Sequence, residues 1–370
     1  MKEVFSTRIS ESFKLEIPYN FDKNLVTTLK TKSYLSILRN RTAFVYMPCY
    51  REDAANTRRE SPIYQILAPR DREEYAEHVH LIQQGLQMPV AVLLQYSNTN
   101  TIKNLQFYLD LGINQFIVGS DEIAGYLNSN CPDVTVIASI TKKLTFNDIM
   151  SKSLDMYDII VLDFPFERGL NRVKQLPKTH EYSMLANNQG CLVDCNQCAH
   201  WISGRTTCRY YHDTHYGEER ALTLCNADYN EFAGYVSHLK LQGRDTSTEQ
   251  IISYIDQVLC DDNSQKHDDA WLNYADTLGL FDGTYQRDIR SFECEANRSL
   301  RDFTFYVDTT GYSWTEGITY HISIDMSFGY ISITADNGVM HVSFPIYAEV
   351  SLFLKEMFNL ELCSDDAGGA

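Results

Sequence analysis

Eight short apolar runs, separated by helical stretches, lie between Phe13 and Gln242, and nothing else in the chain narrows its possible folds so far. They are Phe13–Tyr19, Thr42–Met47, Pro89–Tyr96, Gln115–Val118, Val134–Ser139, Ile159–Asp163, Tyr182–Ala186 and His238–Gln242. PVAVLLQY at Pro89–Tyr96 is apolar almost throughout, which suits a strand buried on both faces. Strand, helix, strand in repetition predicts a parallel sheet, and eight repeats predict closure into a (β/α)8 TIM-type barrel. An open doubly wound sheet is the competing arrangement, but no GxGxxG turn follows the first run.

Two stretches between the strands carry expectations of their own. In Asp71–Gln87, Tyr75, Val79 and Ile82 recur at helical spacing, so the helix buries that face and turns Glu73, Glu74, His78 and Gln84 outward. His78 and His80 then read as surface histidines. The stretch CYREDAANTRRESPIYQILAPRD, residues 49–71, reads as a charged loop too polar for the core. Its Arg51, Arg58 and Arg59 are solvated in that reading; a clamp on an anionic substrate is the alternative.

Beyond Cys260 the pattern changes. A polar linker, CDDNSQKHDD, leads to a helix and turn over residues 271–285. FTFYVD, ITYHISIDMS, GYISITAD and VMHVSFP then alternate like antiparallel strands, with Asp336-Asn337-Gly338 as a hairpin turn. An apolar-faced helix is expected over residues 347–360. The chain therefore divides into a barrel over 1–260, with a cysteine-rich loop at 187–225, and a linker plus small α+β accessory domain over 261–370.

Five of the ten cysteines fall in that loop: Cys191, Cys195, Cys198, Cys208 and Cys225. The N-terminal stretch MKEVFSTRISESFKLEIPYN lacks the apolar segment of an export signal, and no run of about 18 apolar residues could span a bilayer. A cytoplasmic protein with reduced thiols is expected, and clustered thiols there point to a metal rather than to disulfides. Cys191, Cys195 and Cys198 are spaced C-x3-C-x2-C, close enough to converge on one soft metal centre. Zinc and an iron–sulfur cluster both satisfy that spacing. His200, His212 and His215 lie nearby. The same spacing occurs in radical-SAM enzymes, but there it follows the first barrel strand and here it follows the seventh; this is the minor alternative.

In a barrel the cysteine loop would leave the C-terminal end of the seventh strand, at the mouth where such folds gather their site groups. Asp163 ends the sixth run and reads as a polar site residue or as a loop cap. Arg244, just past the eighth run, reads as a binder of an anionic co-substrate or as the partner of Glu249. The formal net charge is −17, with 49 acidic against 32 basic residues. That balance argues against a nucleic-acid coat or an anionic membrane surface as partner. It still leaves room for an RNA substrate at a local basic patch.

Two stretches, LANNQGCLVDCNQCAHW and HLKLQGRDTSTEQIISYIDQVL, resemble the collagenase-like (U32) peptidase family, in particular its iron–sulfur group of ubiquinone and tRNA/rRNA hydroxylation proteins. Lys240, Gly243, Arg244 and Glu249 match the family's strand–helix pattern lK-x-x-GR-x-x-x-x-E, and the resemblance covers about the first seven-tenths of the chain. It implies a four-iron four-sulfur cluster on Cys191, Cys198, Cys208 and Cys225, with Cys195 an extra thiol. It also implies an oxygen-independent hydroxylation-type enzyme acting on an RNA base, a quinone precursor or a peptide. A partner subunit is implied too, so a metal-stabilised scaffold without chemistry of its own is the alternative. The gaps after Cys198 are shorter than in the hydroxylation proteins, and the C-terminal module is unlike the family's usual ending. Peptidase activity is a minor alternative, because the sequence shows neither a nucleophile with a paired base nor HExxH.

Overall fold

The structure, a computed structural model, describes residues 9–51, 53, 62–95, 100–186, 224–244, 246–260, 266–277 and 281, together with the backbone of four strands between Ile289 and Pro345. Two compact units result, and the first of them runs on to Thr284.

The first unit is a closed barrel of eight parallel strands in sequence order, β8 pairing back onto β1. The strands are β1 (Lys14–Pro18), β2 (Thr42–Pro48), β3 (Val90–Leu94), β4 (Gln115–Val118), β5 (Thr135–Ala138), β6 (Ile159–Val161), β7 (Glu181–Leu185) and β8 (His238–Lys240). Every expected strand is present. The first connection holds two helices, α1 (Lys23–Thr31) and α2 (Leu35–Arg41). The others hold α3 (Pro62–Leu67), α4 (Arg72–His80), α5 (Thr101–Asp110), α6 (Asp121–Asn130), α7 (Phe146–Ser151), α8 (Leu170–Val173) and α9 (Asn226–Glu231); α10 (Thr248–Cys260) follows β8. Among the described residues no helix is long and apolar enough to cross a membrane.

Alternation along each strand sorts its side chains between two cores. Leu15, Ile17, Tyr182, Met184 and Leu239 face out and pack under the helices. Inward, Phe44, Tyr46, Leu93, Ile117, Ile137 and Val161 fill the barrel from β2 to β6. On β7, β8 and β1 the inward positions include four buried polar residues, Ser183, His238, Lys240 and Glu16, none more than 7% exposed. The barrel interior is thus apolar on one side and ionic at the closing seam.

Close strand approach explains one glycine. A Cβ on Gly119, at the exit of β4, would lie 2.0 Å from the backbone oxygen of Gln95, at the exit of β3. No side chain fits there.

His78 is buried, not outward. It is 2% exposed, its Nδ1 lies 2.8 Å from the Tyr19 hydroxyl, and its ring packs against Tyr19 and Phe21. The reason is geometric: residues 75, 78, 79 and 82 form one i, i+3, i+4, i+7 stripe, so His78 shares the face of Tyr75 and Val79. The helix then widens into a π-helical turn at Leu81–Leu86. The stretch 49–71 is likewise not all solvated loop. It contains α3, and its Asp53 is completely buried. Arg72 Nη2 donates to Asp53 Oδ1 at 2.8 Å and Asn104 Nδ2 at 2.9 Å, while the Tyr108 hydroxyl donates to Oδ2. A charge can be buried when such donors surround it. Arg51 is exposed; Arg58 and Arg59 lie outside the described residues.

After α10 the chain adds two short helices, α11 (Asp269–Leu272) and α12 (Tyr274–Thr277), which dock on the β6–α8 connection. Arg172 Nε donates to Asp276 Oδ1 at 2.5 Å, and Phe281 packs edge-on against Phe166.

The second unit contains a four-stranded antiparallel sheet, ordered β12-β11-β10-β9. Its strands are β9 (Ile289–Glu295), β10 (Thr319–Asp325), β11 (Tyr330–Ala335) and β12 (His341–Pro345). Three coincide with expected runs. The fourth is IRSFECE, which pairs Ile289 with Asp325 through Glu295 with Thr319. FTFYVD and the expected helix over residues 347–360 lie outside the described residues.

Candidate functional site

Of the five clustered cysteines only Cys225 lies among the described residues; Cys191, Cys195, Cys198 and Cys208 lie outside them. The described chain stops at Ala186, one residue past β7, and resumes at Leu224. Both ends are tied down. Ala186 N–H donates to Lys240 O at 2.9 Å, and its carbonyl accepts from the hydroxyl of Tyr229 on α9.

Cys225 is the N-cap of α9, with extended backbone angles (φ −93°, ψ 171°). Its N–H donates to Asp228 Oδ2 at 2.9 Å, and its side chain accepts from the Asp228 N–H, a reciprocal capping box. Asp228 is fully buried. Its Oδ1 accepts the His267 backbone N–H at 2.8 Å, and its Oδ2 lies 2.8 Å from His267 Nδ1. One ligating atom from each of Cys225, Asp228 and His267 can be chosen so that all three lie within 4.8 Å of one another. A second layer holds the imidazole in place. His267 stacks on Trp271, with centroids 3.7 Å apart and planes 8° from parallel, and the Arg168 guanidinium lies 3.4 Å from the Trp271 centroid. A thiol, a carboxylate and an imidazole form a donor set suited to a borderline divalent ion.

The second polar group lies inside the barrel. Lys240 Nζ sits 2.8 Å from Glu16 Oε2 and 3.8 Å from the Tyr46 ring centroid. Burial lowers the Lys240 pKa below the usual lysine value; Glu16 opposes that shift and the Arg244 charge adds to it. His238 Nε2 lies 2.7 Å from Glu181 Oε2, while its Nδ1 is 3.6 Å from Glu16 Oε1, too far for a hydrogen bond. Glu16 Oε1, His238 Nδ1 and Ser183 Oγ are buried and find no hydrogen-bond partner among the described residues.

The other expected site residues are placed as follows. Asp163, half-buried at the exit of β6, accepts the Phe164 N–H at 2.9 Å and so caps the short 3-10 turn Phe164–Arg168. Arg244 lies half-buried in the turn after β8, which opens with Gly243 at φ +131°. Sequence reasoning missed Asp228 and His267. The i, i+3 spacing of Cys225 and Asp228 was a usable sign, since it sets both on one face of a helical turn. His267 sits in the polar run QKHDD, where no periodicity marks it.

No protein-family model and no curated protein matches the chain. Solved structures resemble it distantly. The U32 peptidase Mk0906 is 13% identical at a TM-score of 0.38, over 62% of this chain and 92% of that one. The carboxyl transferase domain of Rhizobium etli pyruvate carboxylase with 3-bromopyruvate is 12% identical at 0.32, over 75% of this chain and 55% of that one. The barrel itself rests on its own strand order.

Proposed function

We propose that the chain is an iron–sulfur protein of the hydroxylation type, in which a four-iron four-sulfur cluster on the cysteine-rich segment serves oxygen-independent redox or oxygen-atom transfer. The observation that carries this reading is the insertion point. The segment bearing five thiols is spliced between the C-terminal end of β7 and α9, with Ala186 and Cys225 tied to the barrel at its two ends. In (β/α)8 enzymes that end of the strands carries the chemistry. The substrate is an RNA base, a quinone precursor or a peptide, with the acidic charge weighing against RNA. Arg244, on the turn after β8, is the candidate for an anionic co-substrate.

Anaerobic purification with iron, sulfide and zinc analysis and electron paramagnetic resonance tests the reading. It expects a brown protein with about four irons per chain, lost in Cys191→Ala and Cys198→Ala. A colourless protein that holds zinc alone overturns it. A cluster with turnover only in the presence of a second protein favours the scaffold alternative.

A further inference from the structure

We propose that Cys225, Asp228 and His267 form a separate mononuclear site for a borderline divalent cation, zinc foremost. The site uses none of Cys191, Cys195, Cys198 or Cys208, so it stands apart from the proposed cluster and leaves four thiols for it.

Three observations carry the assignment. First, helix capping does not account for the residues. The other capping box among the described residues, at α7, uses Thr145 with a partly exposed Asp148 that pairs with Lys152. At α9 the cap is a cysteine, whose sulfur is a weak acceptor where Ser, Thr, Asp or Asn would serve better. Second, the carboxylate of Asp228 is fully buried, and no Lys or Arg among the described residues pairs with it. Among the described residues its negative charge meets two backbone N–H groups and His267. A buried anion of that kind is normally paired or metal-bound. Third, the imidazole arrives from a segment about forty residues away and is held by Trp271, as second-layer groups hold metal-binding histidines.

The distances suit a metal. Zinc bonds of about 2.0–2.3 Å place tetrahedral ligands roughly 3.3–3.7 Å apart. The three ligating atoms already lie within 4.8 Å of one another, and a metal would replace the 2.8 Å contact between Asp228 Oδ2 and His267 Nδ1. Three protein ligands leave one position of a tetrahedron open.

The test is metal content and cobalt spectroscopy on the full chain, prepared anaerobically. The proposal expects one zinc per chain alongside any iron, and thiolate-to-cobalt charge-transfer bands after cobalt exchange. Cys225→Ser, Asp228→Asn and His267→Gln should each weaken zinc binding tenfold or more while leaving iron content unchanged. His267→Cys should restore binding with a stronger charge-transfer band, which a misfolded chain would not show. Iron lost in Cys225→Ser, with zinc indifferent to Asp228→Asn and His267→Gln, overturns the proposal and returns Cys225 to the cluster. If no preparation contains iron but zinc follows the three variants, the cluster reading fails and this site stands.

Discussion

Glu16 and Lys240, 224 positions apart in sequence, meet at 2.8 Å inside the barrel and join its first strand to its last. Both are buried, and the ammonium also lies over the Tyr46 ring. Removing one member leaves the other charged in a dry interior. Glu16→Gln should therefore cost about 3–5 kcal/mol of stability, and Glu16→Leu with Lys240→Met together far less, within about 2 kcal/mol of wild type. Urea unfolding of the single and double variants checks the difference. A double variant as unstable as the single one would show that the pair is not the cause.

Asp53 offers a parallel contrast between buried and exposed charge. Asp53→Ala strands Arg72, Asn104 and Tyr108 and should cost about 3 kcal/mol or more. Glu77, whose pair with Lys23 is more than half exposed on both sides, should tolerate Gln at a cost below about 0.5 kcal/mol. The same denaturation measurement ranks the two.

His78 gives the fold an acid limit. Burial, with a smaller contribution from Lys23, lowers its pKa to about 4 from an ordinary 6.5. The unfolded chain then binds one more proton than the folded chain between those values. The stability contributed by neutral His78 is complete above pH 6.5 and falls as the pH drops toward 4, at a limiting slope of about 1.4 kcal/mol per pH unit. His78→Gln should remove that slope from the pH dependence of unfolding. In the folded wild-type protein, the His78 imidazole resonances should stay unchanged down to about pH 5.

Gly119 and Gly125 differ in the space around them, and their alanine variants should move stability in opposite directions. Gly119→Ala drives a methyl into the Gln95 carbonyl and should destabilise by about 2 kcal/mol or more. Gly125 sits within α6 with nothing within 4 Å of an added Cβ, so Gly125→Ala should stabilise by about 0.5–1 kcal/mol. Thermal unfolding of both variants decides.

Most of the barrel was legible because its signal is local. Runs such as VAVLL and QFIV are buried on both faces and need no tertiary context to be recognised. The errors arose where residue type and position disagree. His78 and Asp53 are polar, and their burial depends on Tyr19 and Tyr108, which lie 59 and 55 residues away. The strand IRSFECE was hidden by charges that alternate as well as its apolar residues do. At the candidate site the thiol of Cys225 was visible at once. The convergence of Asp228 and His267 on it was not, because it depends on where the chain returns after α10.

The polar seam also bears on synthesis. Until residue 240 leaves the ribosome, β1 has no partner on its closing side, and the seven strands that precede β8 keep two free edges from Leu185 to Lys240. Parallel sheets held open in this way are exposed to pairing with other chains. The inward carboxylate of Glu16 on one edge and the inward hydroxyl of Ser183 on the other make both edges poor templates for a hydrophobic neighbour, as inward-pointing charges do on natural edge strands. His238 and Lys240, which complete them, arrive last of the barrel's strand residues, on a single three-residue strand.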